Sequence, residues 1–193
     1  MSTVLKDKKS RAQNSSFKKL LFVLTGIFGF CFAVFTVANA LYKSGFLYSA
    51  AITFGVTFYH FAMRLAVGYF IDKIFKNRID YNSRWFAPKK FEKQLYKKLR
   101  VHKWKGKVPT FDPEQFDIEK HSFDEIIRSM CVAEIVHEVI FVFALLPVFL
   151  AIPFGDFWVF FITSVLSAAF DLIFVILQRY NRPRVILLIK RKT

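Results

Sequence analysis

The sequence predicts an all-α membrane protein: four transmembrane helices, with an amphipathic interfacial helix in the cytoplasmic segment between spans two and three. Three observations carry this. Hydrophobic residues make up 54% of the chain and fall in four long blocks instead of along amphipathic elements. The formal net charge is +15, and the basic residues collect between the blocks. The 26 phenylalanines exclude a disordered chain. A water-soluble enzyme would spread its apolar residues and is disfavoured. Residues 1–193 make one membrane domain. Both cysteines, Cys31 and Cys131, lie inside apolar runs, so neither a disulfide framework nor a thiolate metal site is indicated.

The elements follow in order. Span one, about 20–41, contains no charge. It is too long for a signal-peptide core, lacks a small-residue cleavage site, and is closely followed by a second span. Span two, about 46–71, contains His60 and Arg64. Span three, about 130–152, contains Glu134, His137 and Glu138, and span four, about 154–177, contains Asp156 and Asp171. Of 29 Lys and Arg, six precede span one, 15 lie between Lys73 and Arg128, and six follow span four. Only Lys43 falls in the first hairpin and none in the second, at Pro153–Asp156. The positive-inside rule then places both termini and segment 73–129 in the cytoplasm of a multi-pass cell-membrane protein. The basic residues border spans and no nucleic-acid-binding motif accompanies them. Anionic membrane lipids, at about 1 kcal/mol per basic residue near the surface, are the expected partners, and nucleic acid is not.

Segment 73–129 is too long for a plain connector. Trp85, Phe86, Phe91, Leu95 and Leu99 recur at near-helical spacing with lysines between them. That suits a helix lying in the head-group region, its lysines reaching for water. Trp104 anchors a loop at the same interface. Asp112-Pro113-Glu114 resembles a short helix start. Ser122-Phe123-Asp124-Glu125 is a capping box, so a helix begins at Phe123 and runs into span three.

Ionisable groups in a bilayer core are costly unless paired or hydrated, which makes them functional candidates. At about 1.5 Å per residue, Arg64 and Asp171 each lie about 12 Å from the cytoplasmic ends of their spans. Glu134 is roughly 6 Å deep, with His137 and Glu138 one turn further. His60 lies one turn beyond Arg64 on the same face. Three spans thus supply polar groups at similar depth. Glu134 stands at i−3 from His137 and i−4 from Glu138, so all three share a helix face. A carboxylate beside an imidazole raises its basicity and fixes its tautomer, a suitable general base for a lipid hydroxyl. The plain alternative is a buried ion network, with Glu134 or Asp171 on Arg64. For His60 alone the structural reading ranks first, for Glu134 and His137 the functional one. Asn39 reads as a helix-packing hydrogen bonder.

The single Glu-x-x-His motif falls short of a di-iron bundle, which needs two such motifs. No nucleophile elbow, phosphate-cradling loop or zinc pattern is present. At the end of span four the chain reads Gln178-Arg179-Tyr180-Asn181-Arg182-Pro183-Arg184. Pro183 is expected to stop the helix and leave arginines at the interface, able to clamp a phosphate or carboxylate.

This run, with Lys103-Trp104-Lys105-Gly106-Lys107-Val108-Pro109 and Ala133-Glu134-Ile135-Val136-His137, resembles the family of glycosyl-4,4'-diaponeurosporenoate acyltransferases. The similarity extends over most of the chain from span two onward. The resemblance implies an O-acyltransferase of the last step of staphyloxanthin-type carotenoid synthesis, placing a fatty acyl group on a sugar hydroxyl. Under it, His137 is the base and Glu134 orients it, while Arg64, His60, Glu138 and Asp171 shape the pocket. Trp104, Arg179, Asn181, Arg182 and Arg184 bind substrate, with Arg182 and Arg184 on the head group or the donor's phosphate. The donor is an acyl thioester or a phospholipid, the acceptor a glycolipid or other hydroxyl compound, and no metal or cofactor is needed. Two rivals stand beside this reading: a methyltransferase- or reductase-type lipid enzyme, and a non-enzymatic lipid-binding or accessory subunit.

Overall fold

A computed structural model describes residues 2–75, 78–109, 111 and 113–190, with side chains from Phe17 onward except at Pro113, Ile189 and Lys190. Asp112 of the Asp-Pro-Glu start lies outside the described residues. The described chain is helical, without strands: α1 (Ser2–Tyr42), α2 (Gly45–Phe75), α3 (Glu92–Lys98), α4 (Val101–Trp104), α5 (Phe123–Leu145), α6 (Ala151–Phe154) and α7 (Phe157–Lys190). Short 3-10 turns occupy Lys105–Lys107, Pro113–Phe116 and Leu146–Leu150. Four helical segments are long and apolar enough to span a membrane: Phe17–Tyr42, Gly45–Phe75, Phe123–Phe154 and Phe157–Leu188.

The helix ends follow from local chemistry. The capping box forms: the Ser122 N–H donates to Glu125 Oε2 at 2.8 Å, and the Glu125 N–H to Ser122 Oγ at 3.3 Å. This start carries α5 uninterrupted from Phe123 past Glu134 and His137. Pro147 then switches the chain into the 3-10 turn, because its ring removes a backbone donor. Gly155 and Asp156, both at positive φ, reverse the chain into α7. There Ser49 donates to Asp156 Oδ2 at 3.1 Å, and the Tyr48 hydroxyl to the Phe154 carbonyl at 2.9 Å.

Two expectations need correction. Pro183 does not stop the last helix, since α7 continues to Lys190. Arg184 folds back across the proline, its guanidinium donating to the Tyr180 carbonyl and stacking 3.5 Å over the Tyr180 ring. The helix expected around Trp85–Leu99 is confined to α3. Pro88 disfavours helical backbone at Ala87, and an Asx turn at Asp80, accepting from the Asn82 N–H at 2.9 Å, shapes the chain before it. Phe86 joins a buried core with Ile79, Cys131 and Val132, whereas Trp85 and Phe91 are exposed.

The chain divides into two compact units. Of the described residues, one comprises those within 71–136 and 173–190 together with 2–18; the other comprises 19–70 and 137–172. The first has two small cores, one around Phe86 and Cys131, the other formed by Val101, Leu177 and Tyr180 with Trp104 packed on it. In the second, α1 meets α2 through phenylalanines: Phe35 stacks on Phe54 at 5.1 Å and Phe28 packs on Phe61 at 5.2 Å. Gly55 lets the Phe32 ring approach, since a Cβ there would lie 2.8 Å from Cε2. Outward faces are apolar: Phe30 is 71% exposed and Ile152 84%, surface that suits lipid and not water.

Candidate active site

Two clusters of buried ionisable groups emerge, one in each unit. The first is centred on Glu134, whose side chain is fully buried. Oε1 accepts from Arg179 Nη1 at 2.6 Å, and Oε2 accepts from Arg182 Nη1. Arg179 also grips Glu92 Oε1 at 2.7 Å and donates to the carbonyls of Trp85 and Ala87. The Arg182 guanidinium donates to the Phe86 carbonyl at 2.7 Å and lies 4.9 Å from the Phe86 ring centre. Tyr96 donates to Glu92 Oε2 at 2.9 Å, and burial together with this bond holds its hydroxyl above the usual tyrosine range. Two carboxylates thus face two guanidiniums, and backbone carbonyls take further donors. The arrangement ties loop 85–92 to α5 and α7.

The second cluster is centred on Asp171, 1% exposed. Arg64 Nη2 reaches its Oδ2 at 2.5 Å and also donates to Ser167 Oγ at 2.8 Å and the Ser167 carbonyl at 3.1 Å. Arg64 Nη1 donates to the His60 carbonyl at 2.8 Å. Asp171 Oδ1 lies 3.0 Å from Nδ1 of His137, whose side chain keeps 20% of its surface accessible. A carboxylate at Nδ1 selects the tautomer that protonates Nδ1 and leaves the lone pair on Nε2. His60 is buried, and neither of its ring nitrogens has a hydrogen-bond partner; the same holds for Arg64 Nε and for Ser164 Oγ on α7.

The sequence brings Arg64, Asp171 and His137 to one depth, and the structure brings them into contact. It places a different carboxylate on the histidine: Asp171 sits at Nδ1, while both Glu134 oxygens are engaged by arginines. Arg182 is buried on Glu134, whereas Arg184 remains exposed on α7. Asn181 accepts from Lys105 at 3.5 Å, and Trp104 donates to the Leu99 carbonyl at 2.9 Å. Glu138 is half-buried on α5. Glu92, Ser164 and Ser167 escape sequence reasoning. Glu92 looks like any solvated helix residue, and a lone serine on an apolar helix resembles helix packing. The spacing Ser164, Ser167, Asp171 at i, i+3, i+7 is the signal that could have found the serines. Among the described residues, no group of three or more His, Cys, Asp or Glu could hold a metal ion.

Comparison with known proteins adds one match. No curated protein and no solved structure matches the chain. A family model described as glycosyl-4,4'-diaponeurosporenoate acyltransferase matches residues 82–191, which hold Glu134, His137 and Asp171. All three sequence motifs lie inside the match, whereas span two, with His60 and Arg64, lies outside it, so the match begins later than the expected start at span two. Covering more than half of the chain, this match shows that the protein belongs to the glycosyl-4,4'-diaponeurosporenoate acyltransferase family.

Proposed function

We propose that the protein is a membrane-embedded O-acyltransferase that moves a fatty acyl group onto a hydroxyl of a glycolipid acceptor at the cytoplasmic leaflet. The observation that carries this is Asp171 at 3.0 Å from Nδ1 of His137, held in place by Arg64. His137 is the proposed general base. Its Nε2 takes the acceptor's proton as that oxygen attacks the acyl carbon, and the resulting imidazolium is stabilised by Asp171. The carbon–oxygen bond of the new ester forms, the acyl bond of the donor breaks, and the proton passes from His137 to the leaving group. Arg64 holds Asp171 in place through the bond to its Oδ2. The orienting role expected of Glu134 passes to Asp171 in this reading, and Glu134 becomes the centre of a clamp.

The donor is an acyl thioester or a phospholipid. Exposed Arg184 and the neighbouring basic residues are the proposed contacts for its phosphate, since Arg182 is taken up by Glu134. Charge placement supports cytoplasmic termini and a cell-membrane location.

The test is purified protein in lipid nanodiscs with labelled acyl-coenzyme A or labelled phospholipid and a glycolipid acceptor. Acylated glycolipid should form with one donor and vanish in His137→Ala. Acyl transfer that persists in this variant removes the base assignment. An unchanged lipid profile in cells with and without the gene, together with no transfer in vitro, favours an accessory subunit.

A further inference from the structure

Arg64 satisfies Asp171 and Ser167, yet one turn away on each of the same two helices a buried polar side chain is left without a partner. On α2 this is His60, 4% exposed, with both ring nitrogens unbonded. On α7 it is Ser164, fully buried, with its hydroxyl unbonded. The register of the two helices brings them level. Bonds from Tyr48 to Phe154, Ser49 to Asp156, and Arg64 to Ser167 and Asp171 join residues 103–107 apart in the chain. The same offset sets His60 level with Ser164. His60 and Arg64 share one face of α2, as Ser164, Ser167 and Asp171 share one face of α7.

Buried polar atoms are nearly always hydrogen-bonded, so two such side chains in register call for an atom that bonds to both. A small oxygen acceptor meets this requirement, because a neutral imidazole and a hydroxyl can each donate one hydrogen bond to it. Arg64 links this level to the base, since it bonds Ser167, one turn from Ser164, and Asp171, which bonds His137. In acyl transfer, the oxygen beside the base that gains charge is that of the acyl carbonyl.

We infer that His60 and Ser164 bind the carbonyl oxygen of the acyl donor and hold the oxyanion formed when the acceptor attacks. This rests on the acyltransferase reading and deepens it. As the carbonyl carbon becomes tetrahedral, its oxygen takes the electron pair of the C=O bond, and the two donors shorten onto it. Collapse restores the double bond and expels the thiolate or alkoxide, which takes the proton from His137.

The test uses palmitoyl-coenzyme A with a 13C carbonyl, and phosphatidylcholine labelled likewise, bound to the full chain in nanodiscs. Isotope-edited infrared spectra should show the bound carbonyl band moved to lower wavenumber for the donor that supports turnover. Ser164→Ala, which removes only one oxygen, and His60→Leu should return the band toward its free position. Each should cut kcat about 100-fold with little change in the KM of the acceptor. His60→Gln, which retains an N–H, should restore part of both. A shifted band that the variants leave unchanged, or an unshifted band in an active wild type, overturns the carbonyl site and leaves acyl transfer standing. Wild type that neither binds nor turns over either donor overturns both.

Discussion

Glu134 and Asp171 are both buried carboxylates held between two nitrogen bases, yet their partners differ in kind. Glu134 faces Arg179 and Arg182, two guanidiniums, the side-chain type that carries a fixed charge. Asp171 faces Arg64, another guanidinium, and His137, an imidazole, the ring type used for proton transfer near neutral pH. Surroundings follow the same division. Around Glu134, the guanidiniums donate onward to the carbonyls of Trp85, Phe86 and Ala87. Around Asp171, the ring of His60, the Oγ of Ser164 and the Nε of Arg64 have donors or acceptors in reserve. A cluster of fixed charges can clamp a loop but cannot move a proton. A cluster that holds an imidazole and unbonded polar atoms fits the proposed site.

Breaking the clamp should have the largest effect on folding. Glu134→Ala leaves two buried guanidiniums without their shared carboxylate, a change that costs about 3–5 kcal/mol. Thermal unfolding in detergent should show the loss, and a midpoint within a degree of wild type would mean the network contributes nothing. His137→Gln should act oppositely, with the midpoint kept and kcat reduced about 100- to 1000-fold. Ser122→Ala removes the cap of α5 and touches neither cluster. It should cost about 1 kcal/mol of stability, and an equal or larger loss of specific activity would show that the helix start controls the site. The smallest effect is expected of Tyr96→Phe, which removes one hydrogen bond to Glu92 while Arg179 still holds that carboxylate. About 0.5 kcal/mol is expected, and several times that would make Tyr96 a working part of the clamp.

The spans and the start of α5 were legible because they depend on local signals: apolar length, basic flanks and the capping box at Ser122–Glu125. The convergence of Arg64, Asp171 and His137 was legible as well, because helical rise converts sequence position into depth. The pairing within that layer was not. Spacing on one helix makes Glu134 a natural companion for His137, but rotation of α7 decides which carboxylate reaches the ring. Pro183 misled for a related reason. A proline argues against helix locally, while α7 carries Arg179 and Arg182 into Glu134 just before it and Arg184 bonds back to Tyr180 across it. Phe86 gave an amphipathic signal, yet its carbonyl and ring both serve Arg182.

The division of labour is tested most directly by specific activity per folded molecule, measured side by side for Glu134→Gln and His137→Gln. Folded protein is counted by monodisperse gel filtration in detergent, and acyl transfer by labelled product. Glu134→Gln should yield less folded protein whose specific activity stays within a few-fold of wild type. His137→Gln should yield normal amounts of protein that is about 100- to 1000-fold less active. The opposite result, with Glu134→Gln well folded and inactive and His137→Gln active, would place the chemistry at Glu134 and contradict the account.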